Sequence, residues 1–160
     1  RGLGDVYKRQ GVPMRKITIE WSYPMEIESI LYDKRMSDIG IYYITRRFGN
    51  HISDLYIGKT VYSFGSRLES HYWYWLDKYR GKKYVRLGTI VKPKNISEDD
   101  LKQLIGDAEA TLIYCLGDQL LQNKMCTISC NPSQLLMITN IGRRGNIPEQ
   151  VFISDEDWIV

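Results

Sequence analysis

The sequence predicts a small α/β protein built on a three-stranded, mostly antiparallel sheet flanked by helices, with short additions at both ends. Three observations predict it: two alternating apolar stretches facing each other across Gly49-Asn50, an amphipathic segment directly after them, and a later helical segment with a carboxylate on its apolar face.

Arg1 to Gln10 lacks a starting methionine and resembles translated adapter sequence, so it is expected to be a non-native leader outside the fold. Residues 11–38 form the expected N-terminal extension, and within it Lys16 to Trp21 alternates like a first strand. Ile39 to Thr45 and Asp54 to Thr60 then predict a hairpin with an enlarged loop. Alternation would send Ile41, Tyr43, Leu55 and Ile57 into a core, and Gly40, Tyr42, Tyr56 and Gly58 to the opposite face. Glycine in a strand packs nothing, so this second face is expected to admit a ligand closely.

Phe64 to Tyr79 predicts a helix whose buried stripe is Leu68, Tyr72, Trp75, Leu76 and Tyr79. Arg67, His71, Tyr74 and Lys78 form the adjacent stripe, and the four-residue spacing of Arg67 and His71 lets a guanidinium and an imidazole converge on one anion. Tyr84 to Val91 predicts the third strand, closed by Pro93. Ser97 followed by Glu98, Asp99 and Asp100 is a capping signature for a helix to about Ile105, with Gly106 separating it from a second helix over Asp107 to Asp118. In that second helix Glu109 precedes Leu112, Ile113 and Leu116 at helical spacing, so its carboxylate sits on the apolar face and calls for a metal or basic partner. Leu135 to Ile141 and Gln150 to Ile153 read as late strands of an appended hairpin, with Asn140, Gly142 and Gly145 turning between them.

Gly40-Ile41-Tyr42, Tyr56-Ile57-Gly58-Lys59, Arg67, His71 and Glu109, in this order and spacing, resemble the GIY-YIG nuclease superfamily. The later Leu121-Gln122-Asn123-Lys124 resembles the family's closing stretch, although the proline usual before its asparagine is missing and Asn131-Pro132 offers a rival. The resemblance spans Ile39 to Lys124, so 39–124 is the expected nuclease core and 125–160 the appended strands. It implies a DNA endonuclease using one magnesium or manganese ion held by Glu109 and water. It also implies Tyr42 as general base, Arg67 as phosphate stabiliser, Tyr56 as a residue orienting water or phosphate, and Lys59, His71 and Asn123 as further site residues. A free phenol titrates near 10 and imidazole near neutrality, so His71 is the alternative base. The alternative function is a nucleic-acid-binding module of the same fold with little or no cleavage.

Composition bounds these readings. With 160 residues, 43% of them hydrophobic, the chain can bury a substantial core, and no stretch reads as a signal peptide or membrane span, so the cytoplasm is the expected compartment. Cys115, Cys126 and Cys130 lack paired metal spacing and read as reduced thiols. Formal net charge is +3, and removing the leader takes away three basic residues and one acidic, leaving +1. Global basicity is therefore poor evidence for DNA, and local clusters are better: Arg46-Arg47 in the hairpin loop, Lys78 with Lys82 and Lys83, and Arg143-Arg144 could meet backbone phosphates. Trp73 is placed to stack on an unpaired base. No membrane partner or small-molecule cofactor is expected.

Overall fold

The structure, a computed structural model, describes residues 14–120 and 132–154. Strands β1 (Arg15–Trp21), β2 (Met25–Glu26), β3 (Gly40–Phe48), β4 (His51–Thr60), β5 (Lys82–Ile90), β6 (Leu136–Gly142) and β7 (Gln150–Phe152) form one sheet. Helices α1 (Ile27–Ile30), α2 (Phe64–Tyr74) and α3 (Glu98–Leu116) pack against it, with 3-10 turns at Lys34–Ser37, Leu76–Lys78 and Gly117–Gln119. The expected small three-stranded sheet is therefore wrong. Among the described residues the sheet has seven strands in the order β4-β3-β5-β1-β6-β7, with β2 pairing β5 off that path.

What the alternation patterns did not reveal is the partner of β1. It pairs antiparallel with β5 on one side and parallel with β6 on the other, from Arg15 opposite Leu136 to Trp21 opposite Gly142. Of the supposed terminal additions, β1 and β6 are thus inner strands and β7 is the far edge. Asn140, expected in a turn, lies inside β6, buried, where it accepts from Trp21 Nε1 at 2.9 Å and donates to the Pro148 carbonyl at 3.0 Å.

Both faces of β3 are covered, which is why Gly40 to Thr45 is continuously buried. On one face α3 packs Leu104, Ile105, Ala108, Leu112 and Ile113 against Ile17, Ile19, Ile41, Tyr43 and Ile57. On the other, α1 and α2 pack Ile27, Ile30, Phe64 and Leu68 against Tyr42, Ile44, Leu55, Val85 and Leu87. Each fully buried aliphatic side chain contributes roughly 1.5–3 kcal/mol, so the two layers together fix the register of β3.

Local details depart from the alternating pattern for identifiable reasons. The hairpin closes at Gly49-Asn50, with Phe48 opposite His51, so Arg46 and Arg47 lie within β3 and not in an enlarged loop; Gly49, at φ 62, supplies the left-handed residue of this tight turn. Register shifts between Ile44 and Thr45, where the ladder skips Leu55, and this bulge turns Leu55 to the face of Tyr42 instead of that of Tyr43. Helix α2 stops at Tyr74 because Trp75 leaves the helical region at φ −149. Gly106 does not break the chain into two helices. Its residue costs about 1 kcal/mol relative to alanine in a helix, but a buried stripe on both sides carries α3 through it, and a side chain there would come within 3.0 Å of Lys59 Nζ. Among the described residues no helix is long and apolar enough to cross a membrane.

Candidate active site

The candidate residues gather at the open edge of the sheet, where β4 is the outermost strand. Tyr42 of β3 and Tyr56 of β4 are stacked, with ring centroids 6.0 Å apart, and His71 of α2 lies across both. Tyr42 is completely buried, His71 is buried, Tyr56 is half-buried, and Arg67 opens toward solvent one helical turn before His71. Glu109 reaches the same edge from α3 on the far side of the sheet. The outward backbone N–H groups of an edge strand lack ladder partners, and that of Lys59 donates to the Glu109 carboxylate. Asn123 lies outside the described residues.

The two motif glycines make packing space and do not admit a ligand. A methyl group at Gly58 would overlap the Tyr42 phenol, its cross-strand neighbour, and the Tyr56 ring. At Gly40 it would come within 2.5 Å of the Gly88 carbonyl oxygen and 2.8 Å of Phe64. Hence the face expected to receive a ligand is filled by the protein's own aromatic rings.

A hydrogen-bond chain sets the protonation pattern. Trp75 Nε1–H, a donor only, donates to His71 Nδ1 at 2.8 Å, and His71 Nε2 lies 2.6 Å from Tyr42 Oη. Burial, reinforced by the nearby Arg67 charge, lowers the His71 pKa from 6.5 to about 4, so the ring is neutral near neutral pH. A neutral imidazole that accepts at Nδ1 carries its proton on Nε2, so His71 donates to Tyr42. Arg67 donates to the same oxygen. Both donors favour a phenolate, yet desolvation, followed by the neighbouring Tyr56, outweighs them and holds the Tyr42 pKa well above the ordinary phenol value. With both ring nitrogens engaged, His71 is poorly arranged to serve as the alternative base.

Glu109 has the complementary problem. Burial raises its pKa to about 7, against the lowering influence of Lys59 and Arg67. A half-buried carboxylate of this kind is matched by added positive charge. Among the described residues no three or more His, Cys, Asp or Glu side chains gather as a metal site.

The residues expected to meet nucleic acid are dispersed. The Arg46 guanidinium lies 4.7 Å from the centre of the Tyr79 ring, and Arg47 points to the opposite face of the same strand. Lys83 donates to the Tyr79 carbonyl at 2.7 Å, and Lys82 pairs loosely with Glu26 at 3.7 Å. Arg143 donates to Tyr23 Oη and stacks over its ring, whereas Arg144 donates to the Ile147 carbonyl. Lys78 is exposed, and the side chain of Trp73 lies outside what the structure describes.

Two residues with defined roles carried a weak sequence signal. Trp75 follows His71 at helical spacing, which places indole and imidazole together, but its size marks it first as core. Asp107 is buried on α3 and accepts from the Ser133 amide and hydroxyl, each at 2.7 Å, and from Gln134 Nε2 at 2.9 Å. It ties the segment before β6 to the helix, a contact that no local pattern announces. Compared with protein-family models, curated proteins and solved structures, the chain finds no match.

Proposed function

We propose that this protein is a metal-dependent DNA endonuclease of the GIY-YIG type. One observation carries the reading: the Tyr42 phenol takes a hydrogen bond from Arg67 and feels the charge of Glu109, although the three residues come from β3, α2 and α3. Groups from opposite sides of a sheet meet this way only around its free edge.

Glu109 fits a magnesium or manganese ion, because such ions are commonly held by one or two carboxylates with water and substrate phosphate completing the shell. When bound, the ion supplies neutralisation of charge on the phosphoryl group and the leaving oxygen. The chain's own side chains do the remaining work. Arg67, exposed at the mouth, offers its planar fork to a phosphate oxygen. Lys59 fixes Glu109 through its backbone amide and adds positive charge beside it. Tyr42 is the proposed general base, its phenolate disfavoured by burial and favoured by the hydrogen bonds of His71 and Arg67, and Tyr56 stacks beside it to hold water or phosphate in place. The reaction belongs in the cytoplasm on this reading.

Complete burial of Tyr42 favours a second reading, a nucleic-acid-binding module that does not cleave. Incubation with supercoiled plasmid separates the two. The endonuclease nicks only with magnesium, and Glu109→Ala abolishes nicking. Retained binding without nicking supports the module, and nicking indifferent to both changes overturns the proposed site.

A further inference from the structure

Tyr43 and Tyr42 are successive residues of β3 and point to opposite faces, so the sheet carries a second surface away from the candidate active site. On that face, beyond the C-terminal end of α3, lies a cleft of about 380 Å³. Its floor is a block of cross-strand neighbours: Tyr43 opposite Arg86, Thr45 opposite Tyr84, and Arg47 opposite Ile52. Pro24 closes one side, and the Gly145-Asn146 turn closes the other.

Two guanidiniums line this cleft, and one of them is poorly compensated. Arg86 packs over the Tyr43 ring at 5.4 Å, and its buried Nε has no hydrogen-bond partner among the described residues. Burial lowers its pKa, with Tyr43 and Asp54 opposing. Asp54 is itself engaged, accepting from Tyr43 Oη and from Asn146 Nδ2, and Glu26, on the neighbouring β2, pairs with Lys82. Gly145, at φ 58, closes tightly on the guanidinium, where a side chain would come within 3.0 Å of Arg86 Cζ. Arg47 is exposed and lines the same opening. Apolar walls from Tyr84, Ile52 and Pro24 stand beside these charges.

We infer that this cleft is a second binding site, for a nucleotide, with Arg47 and Arg86 holding the phosphate and Tyr84 and Ile52 flanking the base. The volume falls in the ordinary range for small-ligand pockets, roughly 300–1,000 Å³. Two arginine forks suit a phosphate better than a single carboxylate does, and a flat aromatic group makes use of walls that an inorganic anion leaves untouched.

The test is calorimetric titration with a deoxynucleoside monophosphate, with inorganic phosphate as the comparison and magnesium omitted. The nucleotide binds saturably and more tightly than phosphate. Arg47→Ala, at an exposed position, weakens it about tenfold or more, as does Arg86→Lys, which keeps the charge and loses the fork. Arg67→Ala leaves it unchanged, so the site stands apart from the catalytic one whether or not the protein cleaves DNA. A short single-stranded oligonucleotide that competes identifies the source as a nucleic-acid strand, and failure to compete identifies it as free nucleotide. Absence of saturable binding at millimolar nucleotide, equal affinity for phosphate alone, indifference to both cleft variants, or loss in Arg67→Ala overturns the inference.

Discussion

Replacing Glu109 by glutamine makes the protein more stable in mild alkali, although it removes the residue on which the proposed chemistry depends. Raising a carboxyl from 4.5 to about 7 is worth about 3 kcal/mol, at roughly 1.4 kcal/mol for each pH decade. Glu109 retains some contact with solvent, which screens the penalty to about 2 kcal/mol. The folded protein binds this proton more tightly than the unfolded chain, so stability is full below about 4.5, falls as pH rises through the window to about 7, and is level above it. Glu109→Gln has no such loss. Urea denaturation followed by circular dichroism therefore separates variant from wild type by about 2 kcal/mol at about pH 8, equivalent to roughly 4–8 °C in melting temperature. Saturating magnesium closes the gap by stabilising wild type, because it binds the folded carboxylate, and it does nothing for the variant. Parallel stability curves for the two proteins across this pH range would refute the buried-carboxylate argument. Equal stabilisation of both by magnesium would refute the metal role.

Three further outcomes follow from the geometry. His71 is held near 4, below its ordinary 6.5, so the fold loses stability as pH falls through that window; Trp75→Phe removes the donor to Nδ1, raises the His71 pKa and moves the loss to higher pH, and ring nitrogen NMR of wild type reports the Nε2–H tautomer. An Nδ1–H tautomer in wild type contradicts the chain of donors. Gly58→Ala drives a methyl into Tyr42 and Tyr56 and costs about 1–3 kcal/mol in urea denaturation, whereas a change below about 0.5 kcal/mol says that the rings yield freely. Asp107→Ala strips three hydrogen bonds from the segment before β6 and costs about 2–4 kcal/mol, with faster hydrogen exchange at the Ser133 amide; unchanged exchange there sinks the tethering role.

Short-range patterns made β3, β4, β5 and α2 legible, because alternation and helical spacing are written in neighbouring residues. The same patterns could not count the strands of the sheet. Ile17, Ile19 and Trp21 announce a strand with one apolar face, yet nothing in them names Leu136 to Gly142 as its parallel neighbour more than a hundred residues later. Gly106 misled for a related reason: local propensity favours a break, and the tertiary stripe of α3 overrides it. The site residues Tyr42, Tyr56, Arg67, His71 and Glu109 were nameable from their spacing, and the structure brings them to one sheet edge. Their surroundings were not legible. Burial of Tyr42 beneath its own motif glycine, the tautomer imposed by Trp75 and the arginine cleft behind Tyr43 depend on which face closes over which, and that is settled by packing between distant segments.

The parallel ladder between β1 and β6 also sets a schedule. Arg15–Trp21 leaves the ribosome more than a hundred residues before Leu136–Gly142, and its second flank is made only when that later strand has been synthesised. Until then Ile17, Ile19 and Trp21 line an open seam in a half-built sheet, able to capture any passing strand. A nascent chain of this protein is therefore most vulnerable to aggregation in the interval between these two strands, and a chaperone that shields β1 through that interval would raise the yield more than one that acts after β6 has paired.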